Sequence, residues 1–384
     1  MNVHFFHDDK FTNGAMEQFE TAYPGQNIYI ILLYDQRTLK YTVANAYTHV
    51  FHIRDLHLLK NLKKIISSNI SDCRLLIHFM DDFKAALSNK LLDKFSHLQF
   101  YWIFYGGDLY DYLSRYEGYQ IFDAPNLLPT PSRWERVTKS IKYLMFFGMS
   151  QKTAKTKAFK RLDYFCFWNE YDYTLFISKV DSPAHYKNFI YYKALGDSDH
   201  VQIEKKNIIM VNHAASFTGN HLFVIEKLAK LQASLKDFQL LLPLSYGNKE
   251  YAKKVIQQAK DQLDMNVKPL TDFLPLSEYQ SILSEVKIAI FGMRRQEAAG
   301  NIFQLLNMGA KIFLRKDNTL LSWLKKRNFI VFCIEDDEKE LENLQALSLE
   351  QMSYNSAQYK RYFNASNYQE MMQQLFSDEA AHIV

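Results

Sequence analysis

Short apolar runs alternate with amphipathic stretches along the first half of the chain. NVHFFH, NIYIILLY, VFHI, CRLLIHFM and LQFYWIFYG are rich in β-branched and aromatic residues and read as buried strands. Between them, HLLKNLKKIISS and DFKAALSNKLLDKF repeat apolar residues at helical spacing. That alternation predicts a largely parallel sheet covered by helices. A long helical stretch follows over residues 133–160, then a second aromatic segment. The text turns polar at residues 194–206, ALGDSDHVQIEKK, which reads as a linker. Beyond it the pattern restarts with NIIMV, FQLLLPL, VKPL, KIAIFG, KIFL and FIVFCI, each separated by a helical pattern. The expectation is an α/β protein of two Rossmann-like, doubly wound domains, residues 1–195 and 196–384. No repeat of fixed period and no low-complexity tract interrupts it.

Composition agrees with this picture. At 384 residues the chain is long enough for two domains, and 48% hydrophobic with 23% charged residues describes a soluble globular protein. Aromatics reach 15%, so the cores must be built largely from rings. Cys73, Cys166 and Cys333 sit far apart in apolar runs and read as buried thiols of a reducing compartment. MNVHFFHDDK meets charge too early for a signal peptide, and no apolar run is long enough to span a bilayer. A net charge of +4 does not by itself indicate nucleic acid. Its distribution matters more. Residues 133–161 carry Arg133, Arg136, Lys139, Lys142, Lys152, Lys155, Lys157, Lys160 and Arg161 against Glu135 alone. Trp134, Val137, Ile141, Leu144 and Met145 form one face there, which suits a helix lying on an anionic leaflet as well as a solvated helix packed on its domain. The expected location is cytoplasmic, peripheral on the inner membrane.

In open parallel sheets ligands bind beyond the carboxyl ends of the strands, so the residues after each strand are the candidates. NHAASFTGNH places Asn212, Ser216 and Asn220 after the first strand of the second half, in the company of His213, Thr218 and Gly219. This composition suits an anion met by backbone N–H groups, or an ordinary turn with Thr218 or Asn220 as helix cap. Ser245, Tyr246, Gly247 and Asn248 follow the second strand, and Phe273 the third. MRRQEAAGNIFQLLNMG follows the fourth. It sets Arg294, Arg295 and Gln296 at the strand end and Gly300 and Asn301 near a helix start, an arrangement suited to a pyrophosphate. In the first half, GGDLY puts Asp108 after a strand, where it would serve as a general base or as a helix cap. His7 and Asp8 end the first strand as further catalytic candidates. The neighbouring carboxylates lack a third ligand of suitable spacing, so neither a metal nor another cofactor is expected. His78 is a weaker candidate, and His4 reads as a core residue.

PLSYGNKEY, RRQEAAGNIFQLLNMGAKIFL, VNHAASFTGNH and FYGGDLYDYL together resemble the TDP-N-acetylfucosamine:lipid II N-acetylfucosaminyltransferases of glycosyltransferase family 56, which build enterobacterial common antigen. The resemblance spans both halves and is denser after residue 207. It implies a GT-B fold, two Rossmann-like domains facing a cleft, with the nucleotide-sugar donor held mainly by the second and the acceptor, a glycan on undecaprenyl diphosphate, by the first. One departure is visible. The family's first loop reads more like GNSGD-x-SN-x-H, whereas Asn212 here is followed by His213, Ala214 and Ala215. A nucleotide-sugar epimerase of the same fold, or a glycan- or lipid-binding protein that lost the site, is the alternative.

Overall fold

In a computed structural model the protein is described over residues 1–68, 73–124, 133–190 and 204–377. The chain forms two compact units: Met1–Tyr119 with Thr130–Lys193 and Ala365–Val384, and Gln120–Pro129 with Ala194–Asn364. The linker expected at 194–206 lies outside the described residues up to residue 203.

The first unit holds strands β1 (Asn2–His7), β2 (Asn27–Leu33), β3 (Thr48–His52), β4 (Arg74–His78), β5 (Gln99–Ile103), β6 (Tyr164–Cys166) and β7 (His185–Lys187). They make one parallel sheet in the order β3-β2-β1-β4-β5-β6-β7. The second unit repeats the plan with β8 (Lys206–Val211), β9 (Gln239–Pro243), β10 (Asn266–Leu270), β11 (Val286–Phe291), β12 (Lys311–Leu314) and β13 (Phe332–Cys333). Its order is β10-β9-β8-β11-β12-β13, again parallel. In each sheet the winding reverses beside the first strand, at β1/β4 and at β8/β11. That reversal opens a crevice at the strand ends where ligands bind in such sheets.

The central strands are mostly apolar and buried, as a parallel sheet covered by helices on both faces requires. All of NIYIILL in β2 is buried. The edge strand β10 instead carries Pro269, which an edge tolerates because it needs one donor fewer. Aromatics fill the first core: Trp102 is fully buried, with Phe104, Phe159, Phe165 and Phe176 at 5.1–5.5 Å. The C-terminal helix Ala365–Gln374 belongs to this unit. Met372 and, just beyond it, Leu375 join the core, and Arg74 lies 4.5 Å over the Phe376 ring. Cys73, Cys166 and Cys333 are buried, none in a disulfide.

The single long helix expected over 133–160 is two helices, Arg133–Phe147 and Gln151–Phe159. Gly148 takes a left-handed φ of 69°, and the Ser150 hydroxyl accepts from Thr153 N at 3.1 Å to cap the second helix. Lys155 differs from expectation too. It is 1% exposed and donates to the Met80 and Asp108 carbonyls, so its charge is spent inside the unit. No helix among the described residues is long and apolar enough to cross a membrane.

Candidate active site

The loops after β8 and β11 are tied together by the first candidate. Asn212 is fully buried with φ 57°, a left-handed conformation asparagine tolerates. Its side chain donates to Gly219 O and accepts from Gly292 N, each at 2.9 Å. A Cβ on Gly292 would collide with the Gly219 carbonyl, so the two loops meet only because residue 292 has no side chain. Asn220 does a similar job. It donates to Ile121 O at 3.0 Å and Gly292 O at 3.1 Å, and it accepts from Asp123 N at 3.0 Å. Both asparagines therefore brace the loops from behind.

Next to β8, Gly247 has φ 110°, and a Cβ there would strike the Ala215 carbonyl. The close approach lets Ala215 N donate to Tyr246 O at 2.8 Å and Asn248 N to Ala215 O at 2.9 Å. The Asn248 side chain caps the helix Lys249–Gln262, accepting from Tyr251 N at 2.8 Å. Ser245 is half-buried beside it. Tyr246 and Phe273 stay exposed, their rings near-parallel.

After β11 the structure separates two neighbouring arginines. Arg294 is held by Asp123 at 2.7 Å and by Asp317, while Arg315 grips the other Asp123 oxygen at 2.6 Å. Its guanidinium is thus engaged by carboxylates of its own unit. Arg295 points to a different partner, Glu297 at 2.9 Å, and its Nε has no hydrogen-bond partner within the protein. The Thr218 hydroxyl donates to Glu297 at 2.7 Å and shares a 2.6 Å contact with Ser216, and His213 Nε2 lies 3.8 Å from Glu297. Burial alone would raise the Glu297 carboxyl, but Arg295 and the hydrogen bond from Thr218 outweigh it and hold it below the ordinary carboxylate range. Burial pushes His213 down, partly offset by Glu297, so the imidazole is neutral at neutral pH. Its Nδ1 has no partner within the protein. Gln296 is buried nearby in sequence.

The helix Ala299–Asn307 starts here. Its N-cap, Ala298, has φ 61° and offers no side-chain cap, so no side chain meets the first N–H groups of its opening turn. Gly300 is exposed in that turn, and Asn301 accepts from the Tyr279 hydroxyl at 3.1 Å. Glu297, Tyr279 and Asp123 carry no role in the sequence pattern, whereas Arg295 and His213 already lie there in the loops suited to an anion. The contiguous RRQE was the available signal: two arginines and a carboxylate at one strand end cannot all face the same way.

In the first unit the candidates divide differently. Asp108 was expected on an accessible loop. It lies in the first turn of the helix Gly107–Tyr116 and is 2% exposed. Its carboxylate accepts from Met80 N at 2.9 Å and from the Trp102 indole at 2.6 Å. Burial raises its pKa despite Lys155. A base must reach the hydroxyl it deprotonates, and this carboxylate reaches only its own core. Asp8 binds the backbone N–H groups of Lys40 at 2.6 Å, Tyr41 at 3.1 Å and Thr42 at 2.7 Å. It fixes that loop, and those bonds hold it below its ordinary range against the opposing effect of burial.

His7 is more accessible, and borders a cavity of about 210 Å³ lined also by Asp8, Leu33, Tyr34 and Gln36. Both ring nitrogens are engaged, Nε2 with Asp81 at 2.9 Å and Nδ1 with Lys84 at 2.9 Å. Lys84 is fully buried, also donates to His78 O at 2.6 Å, and is pushed down to about 8 by burial. His4 and His78 pair at 3.0 Å deep in the core. Among the described residues no three His, Cys, Asp or Glu are grouped to hold a metal.

Two parallel six- and seven-stranded units of this kind define a GT-B glycosyltransferase fold. The N-terminal domain of Candida albicans trehalose-6-phosphate phosphatase superposes with a TM-score of 0.64 at 10% identity, over 100% of this chain and 97% of that one. The UDP-forming α,α-trehalose-phosphate synthase from Burkholderia vietnamiensis gives 0.58 at 9%, over 98% of each. A lipopolysaccharide outer core galactosyltransferase gives 0.58 at 10%, over 97% and 98%. At such identities the likeness carries the fold alone. The family follows from the sequence: residues 182–380 match the model of 4-alpha-L-fucosyltransferase glycosyl transferase group 56, and the chain belongs to that family. The resemblance read from PLSYGN and RQ-x-x-x-GN is borne out. The protein is a glycosyltransferase, which takes a nucleotide-sugar donor and a glycan acceptor.

Proposed function

We propose that the enzyme moves a deoxy-acetamido sugar of the N-acetylfucosamine type from a dTDP or UDP donor to a glycan carried on undecaprenyl diphosphate, in the synthesis of a bacterial surface polysaccharide such as enterobacterial common antigen. One observation carries the donor half. A buried cluster with unmet polar atoms, His213 Nδ1 and Arg295 Nε, lies past the carboxyl ends of β8 and β11, in sequence just before a helix that no side chain caps. The donor diphosphate sits on that opening turn, at Gly300 and Asn301, where free N–H groups and the helix dipole favour an anion. Arg295 adds a fixed charge. Glu297 orients Arg295 and holds the Ser216–Thr218 pair. Neutral His213 hydrogen-bonds the donor through Nδ1. As the sugar leaves, charge grows on the diphosphate, and preset donors stabilise that growth more than they stabilise the bound ground state. Arg294 acts one step back, bracing the loop through Asp123.

The acceptor half rests on the helix Arg133–Phe147. Trp134, Val137, Ile141, Leu144 and Met145 are 80, 42, 51, 50 and 82% exposed, at helical spacing on one side. An apolar face turned to solvent suits a leaflet surface, where it would attach the enzyme peripherally and close to a lipid-linked substrate.

The test is release of nucleoside diphosphate from dTDP- and UDP-linked acetamido sugars, with and without a lipid-linked acceptor. Release that requires the acceptor supports the reading. Release without acceptor, or none with any such donor, overturns it.

A further inference from the structure

We propose that Tyr246 and Phe273 form a stacking clamp for the pyrimidine base of the donor nucleotide. The inference rests on the donor site proposed above and assigns its base-recognition end. The rings belong to the loops after β9 and β10, which are adjacent in the sheet. Their planes differ by 13° and their centroids lie 6.3 Å apart. Both remain open to solvent, at 49% and 77% exposure.

A pair of rings that packed only against each other would slide together and bury more of their faces. These two instead leave much of their near-parallel faces open to solvent. A flat heterocycle stacks on such faces. A puckered sugar does not, and a phosphate has no apolar face to offer the rings. The loop that carries Tyr246 is fixed from below. Its carbonyl accepts from Ala215 N at 2.8 Å, and Gly247 follows in a conformation only glycine adopts easily.

Contacts also lead from the clamp to the anion site. The Tyr246 ring stands edge-on to His213 at 6.0 Å, and His213 faces Glu297, the partner of Arg295. Tyr279, in the helix Leu276–Glu285 that follows the Phe273 loop, donates to Asn301 in the opening turn of the diphosphate-binding helix. A nucleoside diphosphate has this layout, a flat base at one end and a diphosphate at the other. Stacking also tolerates either pyrimidine, because uracil and thymine share the same flat face.

The experiment is calorimetric titration of the parent, Tyr246→Ala, Phe273→Ala, Tyr246→Phe and Arg295→Ala with UDP, dTDP and inorganic pyrophosphate. Thermal melting of each variant monitors the fold. Each alanine variant should lose about five- to a hundredfold in nucleotide affinity, the worth of one base stacked on an aromatic ring. Pyrophosphate binding should stay within about twofold, since the rings do not touch it, and Tyr246→Phe should bind as the parent does. Parent-like nucleotide binding in both alanine variants, with Arg295→Ala still weakening nucleotide and pyrophosphate, would remove the clamp and leave the donor site standing. Equal loss of nucleotide and pyrophosphate in the alanine variants would also overturn it, by making the rings loop supports. A parent that binds none of the three ligands would overturn both the clamp and the donor site.

Discussion

The two units place a histidine–carboxylate–cation cluster at the same point, past the carboxyl end of the first strand, and finish it in opposite ways. Around His7 the network closes. Asp81 accepts from His7, from Tyr34 and from Lys84 N, while Lys84 Nζ reaches His7 and the His78 carbonyl. Around His213 the network stays open, with His213 Nδ1 and Arg295 Nε unmet. An unmet buried polar group costs about 1–3 kcal/mol, so a ligand that met both atoms would recover that cost on binding. One topology thus yields a closed cluster that fixes strand ends and an open one, the donor site proposed above.

The largest effect should come from breaking the closed cluster. Lys84→Met leaves Asp81 buried without its cation, and should cost about 3–5 kcal/mol by denaturant melting, with donor affinity unchanged. A loss under about 1 kcal/mol would mean that the His7 network is not the structural one.

The comparison sharpens on the adjacent arginines. Arg295→Ala should weaken nucleoside diphosphate binding by about ten- to a hundredfold, the worth of hydrogen bonds to a charged group. Arg294→Ala should instead destabilise the fold by about 2 kcal/mol, because Asp123 loses a partner, while affinity moves less than about threefold. The reverse pattern would exchange their roles.

Acid should act through histidines in both units. Burial holds His4 and His221 down at about 3, against an ordinary value of 6.5. Between those values the unfolded chain binds more protons than the folded one. Stability is therefore full above the window and falls on acidification by about 1.4 kcal/mol per pH unit for each histidine. Denaturant midpoints followed from neutral pH down to about 5 should show this, and His221→Gln should remove one histidine's share of the slope. An unchanged slope would mean that His221 titrates normally in the fold.

A smaller effect is expected at the apolar face of the helix Arg133–Phe147. Trp134→Glu with Met145→Glu should lower partition onto anionic vesicles by about tenfold or more, through lost apolar burial. Two exposed changes should move the melting point little, since such sites usually act within about 0.5 kcal/mol. Sedimentation with vesicles at the parent level would show that this face is not the anchor. Reversing Lys155, by contrast, should unfold rather than release the protein, because that ammonium is buried.

Much of this was legible in the chain. Runs such as NIYIILL and KIAIF could only be strands buried on both faces, and their alternation with helices required parallel sheets. The strand-end rule then singles out the loops at Asn212, Tyr246, Phe273 and Arg294. The family motif lay in the same loops. These features are local, set by periodicity and turn chemistry within a few residues, so sequence alone determined them.

What each side chain does on its loop was decided by partners far away in the chain. Arg294 looks like a phosphate ligand until Asp123, 171 residues earlier, takes its guanidinium. Asp108 looks like a base until Met80 and Trp102 close over it, and Lys155 like a membrane contact until its ammonium reaches Met80, 75 residues away. A charged side chain in water has no preferred partner. It gains one only when folding removes the water and leaves a particular carboxylate or carbonyl within reach, and that choice belongs to the tertiary structure.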